Sequence, residues 1–145
     1  MAVDTNLLVY AHRRDSSWQS AASACLSRLA AAGLPWAIPW PCVYEFYSVV
    51  THPRIYAPPT SPDQAVAQLE AWFEAPDVTL LAEEPQHWAS LKEQLVRARV
   101  TGPLVHDAKI AALCLANGIS ELWTADRDFG RFPALKTKNP LVSSD

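Results

Sequence analysis

Four carboxylates stand out in this chain because each lies in or beside an apolar stretch with few other charges. Glu45 is the only formally charged residue in the segment 29–53. Asp107 opens a very apolar segment, Asp4 is the first charged residue, and Asp126 follows an apolar run. An ionised carboxylate among apolar side chains is costly unless it is paired with a cation or binds a metal. All four acids are therefore candidate ligands of a metal ion.

Carboxylate ligands of this kind indicate a hard divalent cation. Mg²⁺ and Mn²⁺ prefer oxygen ligands, and one or two carboxylates are completed by water and by substrate phosphate. Clustered carboxylates would repel one another and raise one another's pKa without a cation among them. Two such ions ~3.5–4 Å apart can activate a water molecule and stabilise the leaving oxygen of a phosphodiester. The set therefore predicts metal-dependent hydrolysis of a phosphodiester.

Each acid also has a purely structural interpretation, which the sequence leaves open. Asp107 is a plausible helix N-cap. Asp4 together with Asn6 fits an Asx turn, and Asp126 fits an ordinary loop acid. Glu45 could pair with a buried arginine. It is the occurrence of all four together that favours the metal site.

No other catalytic or cofactor-binding set competes with the carboxylates. The four histidines show no mutual ligand spacing, and we interpret them as surface or capping residues: His12, His52, His87 and His106. The three cysteines lie far apart in apolar stretches, which predicts free buried thiols: Cys25, Cys42 and Cys114. Only four glycines are present, so a glycine-rich phosphate loop and a nucleotide cofactor are not expected.

Length and composition indicate a single folded domain over residues 1–145, half of which are hydrophobic. No apolar run reaches the ~18 residues needed to cross a bilayer, and no signal-like segment opens the chain, so we expect a cytoplasmic protein with no membrane partner. The net charge of −3 first argues against a nucleic-acid partner. If four of the acids bind metal, however, the remaining surface is slightly positive.

The hydrophobic pattern predicts short strands that alternate with longer helices. Strands are predicted at residues 2–3, 36–38, 78–81, 122–124 and 135–138. Helices are predicted at 17–32, 42–51 and 107–117, and the helix at 42–51 is expected to be largely buried. Two further amphipathic helices are predicted. One follows a capping box that starts at Ser61 and has the apolar stripe Val66, Leu69 and Phe73, and the other is marked by Trp88, Leu91 and Leu95. This alternation favours an α/β layered fold with a mostly parallel sheet, in which sites form beyond the carboxyl ends of the strands. Asp4 and Asp126 both follow predicted strands.

Four segments of this chain, in order, resemble the acidic motifs of PIN-domain proteins, most of all the VapC toxins of bacterial toxin–antitoxin pairs. The segments are 3–12 (VDTNLLVYAH), 39–54 (PWPCVYEFYSVVTHPR), 105–108 (VHDA) and 123–129 (WTADRDF). The resemblance covers essentially the whole chain. Only three residues precede Asp4, fewer than is usual in this family, which leaves open a frayed central strand or a start upstream of Met1.

The resemblance implies a three-layer α/β/α PIN-like fold, a homodimer, and an endoribonuclease that depends on Mg²⁺ or Mn²⁺. It also implies a VapB-type antitoxin that inhibits the toxin and through which the pair binds operator DNA. Asp128 falls in the fourth motif and is a further candidate ligand, while Asn6 and Thr124 match polar positions that orient the acids or water. The implied acidic quartet is Asp4, Glu45, Asp107 and Asp126.

Our hypothesis for the site is that Asp4, Asp107 and Asp126 hold one ion directly. Glu45 would bind a second ion or orient the attacking water. Basic residues that flank the acidic motifs are candidates to hold the RNA backbone: Arg13, Arg14, Arg97, Arg99, Lys109, Arg127 and Arg131. Two nearby aromatic residues are expected to pack in the core rather than stack on bases: Trp123 and Phe129.

Two alternative functions remain open from the sequence. The same cluster could serve a DNA or structure-specific nuclease, since nothing in the sequence marks recognition of a 2′-hydroxyl. A non-catalytic PIN-like binding module would also keep the fold, although it would not need all four acids. Cleavage tests with RNA and DNA would distinguish a ribonuclease from the first alternative. A titration with a divalent metal would distinguish it from the second.

Overall fold

A five-stranded parallel sheet forms the centre of the structure, a computed structural model that describes residues 1–142. The strand order is β3-β2-β1-β4-β5, and every neighbouring pair is parallel. Each of the five predicted strands is confirmed to within one residue. The strands are β1 (Ala2–Val3), β2 (Trp36–Pro39), β3 (Val78–Leu81), β4 (Glu121–Trp123) and β5 (Lys136–Lys138).

Six α-helices connect and flank these strands. Right-handed crossovers place the helices between β1 and β3 on one face of the sheet and those between β3 and β4 on the other, which gives three layers. The α/β/α expectation is confirmed. The helices are α1 (Thr5–His12), α2 (Gln19–Ala31), α3 (Trp40–Val50), α4 (Pro62–Phe73), α5 (His87–Arg97) and α6 (Val105–Ala116). Two short 3-10 helices span Gly102–Leu104 and Arg127–Arg131.

The central strand β1 is only two residues long but pairs on both sides. Ala2 lies opposite Ala37 of β2 and opposite Leu122 of β4. Ala2 and Val3 are fully buried, as expected for a strand covered on both faces. The strand order reverses at β1 and β4, and in open α/β sheets the ligand-binding crevice forms at the carboxyl end of such a point.

The sequence predicted where helices begin and end better than it predicted which of their side chains are buried. Ser61 and Gln64 form the predicted capping box, and α6 is buried on most sides. Two predicted apolar stripes were partly wrong, because Val66 and Trp88 are 46% and 62% exposed. The short helix α1 was not predicted. No helix within residues 1–142 combines the length and the apolar character that a membrane span requires.

The interpretation of α3 as a largely buried helix was also wrong. One face, which includes Phe46 and Val50, is fully buried, but Tyr44 is 68% exposed and Glu45 is exposed as well. The buried cysteines, in contrast, are confirmed: all three are free thiols in the interior.

Candidate metal centre

The four acids that the sequence singled out line one pocket of about 240 Å³, where β1 and β4 end. Asp4 follows β1 directly, and its backbone N–H donates to the carbonyl of Trp123 in β4 at 3.0 Å. Parallel strands end at the same edge of a sheet, so residues more than a hundred positions apart meet there. The lining consists of Asp4, Thr5, Asn6, Val9, Tyr10, Glu45, Val49, Tyr56, Asp107 and Asp126.

Asp4 is the most deeply buried acid of the pocket, with 5% of its surface exposed. It is the N-cap of α1, and its Oδ1 accepts a hydrogen bond from the Thr5 backbone at 2.8 Å. Its Oδ2 accepts from Thr124 Oγ1 at 2.8 Å and from Asn6 Nδ2 at 3.3 Å. Burial raises the pKa of Asp4, against the opposing effect of these hydrogen bonds, and the nearby charge of Glu45 raises it further.

Thr124 connects the acids at the ends of β1 and β4. Its hydroxyl donates to Asp4 and accepts hydrogen bonds from Asn6 Nδ2 at 3.1 Å and from the Asp126 backbone at 2.9 Å. These contacts use its single proton and both lone pairs. Asn6 Oδ1 also accepts from the Ala125 backbone at 3.0 Å. The two polar side chains therefore fix the loop after β4 against the start of α1.

Glu45 reaches the pocket from the exposed face of α3, contrary to the buried position expected. Its Oε2 accepts a hydrogen bond from Thr5 Oγ1 at 3.0 Å, which ties α3 to the start of α1. Within residues 1–142 no ion pair involves Glu45. Pairing with a buried arginine, the alternative left open by the sequence, is therefore wrong.

Three of the acids converge most tightly. Ligand oxygens of Asp107, Asp126 and Asp128 all lie within 4.8 Å of one another, and in the described part of the chain no other trio of possible ligands meets this condition. Asp107 is the third residue of α6 and not its N-cap, so the capping interpretation is wrong. Asp126 caps the Arg127–Arg131 turn, where its Oδ1 accepts from the Asp128 backbone at 2.8 Å.

The acids interact strongly through their charges. Burial, together with the charges of Asp126, Asp4, Asp128 and Glu45 in that order, raises the pKa of Asp107 to about 6. Within residues 1–142, no ion pair with a lysine or arginine relieves the repulsion among these carboxylates. A set of carboxylate oxygens with unrelieved negative charge matches the ligand preference of Mg²⁺ or Mn²⁺, so the residues present fit such an ion.

The grouping differs from our sequence hypothesis in one respect. That hypothesis joined Asp107 and Asp126 with Asp4, whereas the tightest group joins them with Asp128. Both oxygens of Asp4 already accept hydrogen bonds. The spacing of Asp126 and Asp128, two residues apart on one tight turn, was the signal that could have given Asp128 more weight.

The basic candidates fall into two groups. Three already have partners: Arg13 with Asp15, Arg97 with Glu93, and Arg131 with the carbonyl of Ala98. The others have no ion pair in residues 1–142, and among them Lys109 lines a cleft beside the pocket together with Glu45 and Asp107. The remaining members of this group are exposed: Arg14, Arg99 and Arg127.

Several other predictions can be checked at this end of the molecule. Phe129 is buried in the core, as expected, and Trp123 is partly buried with Lys138 Nζ 5.4 Å from the centre of its ring. His12 differs from the expected surface or capping role. Both of its ring nitrogens are hydrogen-bonded inside the structure, to Gln68 at 3.1 Å and Thr60 at 3.0 Å. The tyrosines of the pocket, Tyr10 and Tyr56, were not predicted.

Comparison with known proteins gives a consistent result. Residues 1–135 match the sequence model of a family described as "PIN domain". The chain is 35% identical over 141 residues to the VapC ribonuclease Mb2897 of Mycobacterium bovis, covering 97% of this chain and 95% of that protein. It is 32% identical over 139 residues to ribonuclease VapC48 of Mycobacterium tuberculosis, with 95% of each chain covered.

Solved structures with the same fold include toxin–antitoxin proteins. VapBC2 from Rickettsia felis, bound to a DNA fragment from its promoter, matches with a TM-score of 0.68 and 18% identity, covering 94% of this chain and 96% of that chain. VapC20 of Mycobacterium tuberculosis, a sarcin-ricin loop cleaving toxin, matches with a TM-score of 0.63 and 17% identity, covering 89% and 92%. At this level of identity the structures establish the fold.

Proposed function

Because the chain belongs to the PIN-domain family and is of the VapC type, we propose that it is an endoribonuclease that uses Mg²⁺ or Mn²⁺. The observation that carries this proposal is the meeting of Asp4, Glu45, Asp107 and Asp126 in one pocket. A binding module without catalysis would not need so many mutually repelling acids, since each one adds to the cost of the folded state.

The acids of the pocket would divide the work between them. Asp107, Asp126 and Asp128 present the closest group of oxygens and would hold the ion. When bound, a divalent ion activates water and stabilises the negative charge that develops on a phosphodiester. Asp4 would support this group indirectly, because its hydrogen bonds with Thr124 and Asn6 hold the loop that carries Asp126 and Asp128.

Glu45 would orient the water that attacks the phosphodiester. Its Oε2 accepts a hydrogen bond from Thr5, its Oε1 has no donor among the described residues, and the residue lines both the pocket and the adjoining cleft. A water molecule that donates a hydrogen bond to Oε1 would have its oxygen aligned for attack. Glu45 would then accept the proton that this water loses. Lys109, in the same cleft, would contact the RNA backbone and contribute affinity that falls with salt.

The proposed protein and DNA partners are inferred from the solved structures of similar fold. Among the structures of similar fold, VapBC2 of Rickettsia felis is bound to a DNA fragment from its promoter, and VapBC of Salmonella typhimurium is bound to DNA. We therefore propose that a VapB-type antitoxin inhibits this chain and that operator DNA is bound only through that antitoxin. A homodimer and a cytoplasmic location complete the proposal.

The test compares cleavage of single-stranded RNA and DNA by the purified, EDTA-treated chain after addition of Mg²⁺ or Mn²⁺. We expect RNA cleavage that requires the metal and that Asp126→Asn reduces by at least about 100-fold, the scale on which metal-ligand shells affect activity. Glu84→Gln, which removes an exposed carboxylate that is not part of the pocket lining, is the matched control. Metal-independent cleavage, full activity of Asp126→Asn, or cleavage of DNA alone would contradict the proposal.

A further inference from the structure

Part of the carboxylate pocket is apolar. Besides the acids, its lining includes two valines and two tyrosines, Val9, Val49, Tyr10 and Tyr56. A divalent cation and a phosphate group are bound by charged and polar atoms, and they make no use of such a wall. The apolar and aromatic lining indicates that a flat, weakly polar group is held beside the phosphate.

Tyr56 is fixed in place by Arg13. The guanidinium carbon of Arg13 lies 4.2 Å from the centre of the Tyr56 ring, within the range of a cation–π interaction. The backbone N–H of Tyr56 donates to the carbonyl of His52 at 3.1 Å, which anchors the chain at the same point. A ring that is already ordered loses little conformational entropy when a ligand stacks on it.

Arg13 is itself held by several contacts. It donates to both oxygens of Asp15, at 2.9 and 2.7 Å, and to Thr60 Oγ1 at 3.2 Å. Thr60 is buried and also contacts His12, whose other ring nitrogen reaches Gln68 of α4. The guanidinium is thus committed to protein partners, which argues against the role of Arg13 as an RNA-backbone contact and favours a supporting role for the Tyr56 ring.

The charge state of Tyr56 suits a stacking surface. The ordinary pKa of a tyrosine hydroxyl lies well above physiological pH, and burial raises the pKa of Tyr56 further. The ring is therefore neutral and adds no negative charge to the acidic pocket. Neutral aromatic rings stack on nucleobases in proteins that bind unpaired RNA, because the faces of an unpaired base are accessible.

We infer that Tyr56, held by Arg13, is the stacking surface for the unpaired nucleobase next to the phosphodiester that is cleaved. This inference rests on the proposed function, since it assigns the substrate group that the pocket holds beside the metal. The substrate class is single-stranded RNA, and Tyr56 is a specificity-determining residue that contacts it.

The test measures base-dependent binding without cleavage. Fluorescence anisotropy compares a labelled oligoadenylate with an abasic ribose-phosphate oligomer of equal length, with Ca²⁺ in place of Mg²⁺. The wild-type chain is expected to bind the oligoadenylate about 10-fold more tightly than the abasic oligomer, the size of one base–aromatic stack. Tyr56→Leu should lose this preference, while Tyr56→Phe, which keeps the ring, should retain it.

Two controls separate stacking from a general structural effect. Tyr47→Leu removes a tyrosine from the exposed side of α3 and should keep the full preference for the oligoadenylate. Mn²⁺ affinity, followed by the loss of the free-ion EPR signal, should be the same in Tyr56→Leu and wild type, because the acids are untouched. An equal loss of affinity for both oligomers in Tyr56→Leu would overturn the inference.

The inference and the proposed function can fail separately. If the wild-type chain cleaves RNA but Tyr56→Leu keeps the base preference, the stacking role is refuted and the nuclease stands. If no RNA is cleaved but the Tyr56-dependent preference is measured, the nuclease assignment falls while the base-binding surface stands.

Discussion

Replacing Asp107 by asparagine should make the metal-free protein more stable while it abolishes function. The pKa of Asp107 is raised from 3.8 to about 6, first by burial and then by the surrounding acids. A carboxyl whose pKa is raised in the folded state costs nothing below its unfolded pKa and destabilises the fold as pH rises through the folded value. At pH 7.5 the full cost is present, and a neutral asparagine removes it.

The size of the effect follows from the shift with two corrections. A shift of roughly 2 pKa units corresponds to ~3 kcal/mol, and screening by solvent at this partly exposed side chain reduces it to about 1–1.5 kcal/mol. Asp107 also lies in the first turn of α6. Loss of its interaction with the helix dipole costs about 0.5 kcal/mol. The net gain in the free energy of unfolding is about 0.5–1 kcal/mol, which corresponds to a rise in Tm of about 1–4 °C.

The assay is thermal and urea unfolding of both proteins in EDTA at pH 7.5 and at pH 4.5, repeated at pH 7.5 with Mg²⁺. The gain of Asp107→Asn should be smaller at pH 4.5, where the wild-type carboxyl is largely protonated. Mg²⁺ should raise the Tm of wild type but not of the variant. Glu84→Gln, a charge-matched control, should show no such gain in metal-free stability and should keep the wild-type rise in Tm with Mg²⁺. A metal-free Asp107→Asn less stable than wild type at pH 7.5, or a gain that does not depend on pH, would refute this electrostatic reasoning.

Two further substitutions test the framework around the acids. Thr124→Val keeps the shape of the side chain but removes the shorter of the two hydrogen bonds to Asp4 Oδ2 and the acceptor of the Asp126 N–H. It should lower the free energy of unfolding by about 1–3 kcal/mol and abolish most of the RNA cleavage, while Thr124→Ser retains both. Equal stability and cleavage in Thr124→Val, by urea unfolding and RNA hydrolysis, would show that the network does not position the acids. Ser61→Ala breaks the capping box of α4 and should lower the free energy of unfolding by about 1 kcal/mol, while RNA cleavage per folded molecule stays unchanged. A cleavage defect in Ser61→Ala would mean that α4 affects the site.

The sequence predicted the inner strands β1, β2 and β4 well because strands covered on both faces require short apolar runs, and the runs of β1 and β4 are closely followed by Asp4 and Asp126. It predicted the wrong environment for Glu45, since the aromatic neighbours on α3 were counted as apolar although Tyr44 is exposed. A tyrosine can cover a surface while its hydroxyl stays in water, so its presence does not imply burial.

Two features of the site depend on loop geometry that no periodic pattern encodes. The position of Asp128 beside Asp107 and Asp126 is set by the turn at Arg127–Arg131. The position of Tyr56 is set by backbone hydrogen bonds in the segment after α3 and by packing against Arg13. Both require knowledge of where separate elements meet, which local sequence does not contain.

The acids of the pocket differ in how the fold stabilises their charge, and this difference indicates what each one does. Asp4 receives hydrogen bonds from Thr5, Thr124 and Asn6, and the bonds from Thr124 and Thr5 offset part of the rise that burial causes in its pKa. Asp107 has no such donor among residues 1–142, and its raised pKa shows that its charge remains a cost. A carboxylate that the protein already solvates has less to gain from a cation than one that it leaves unsolvated. We therefore expect Asp107 to contribute more than Asp4 to the affinity for the ion, and the hydrogen-bonded Asp4 to hold the surrounding framework together when the ion is absent.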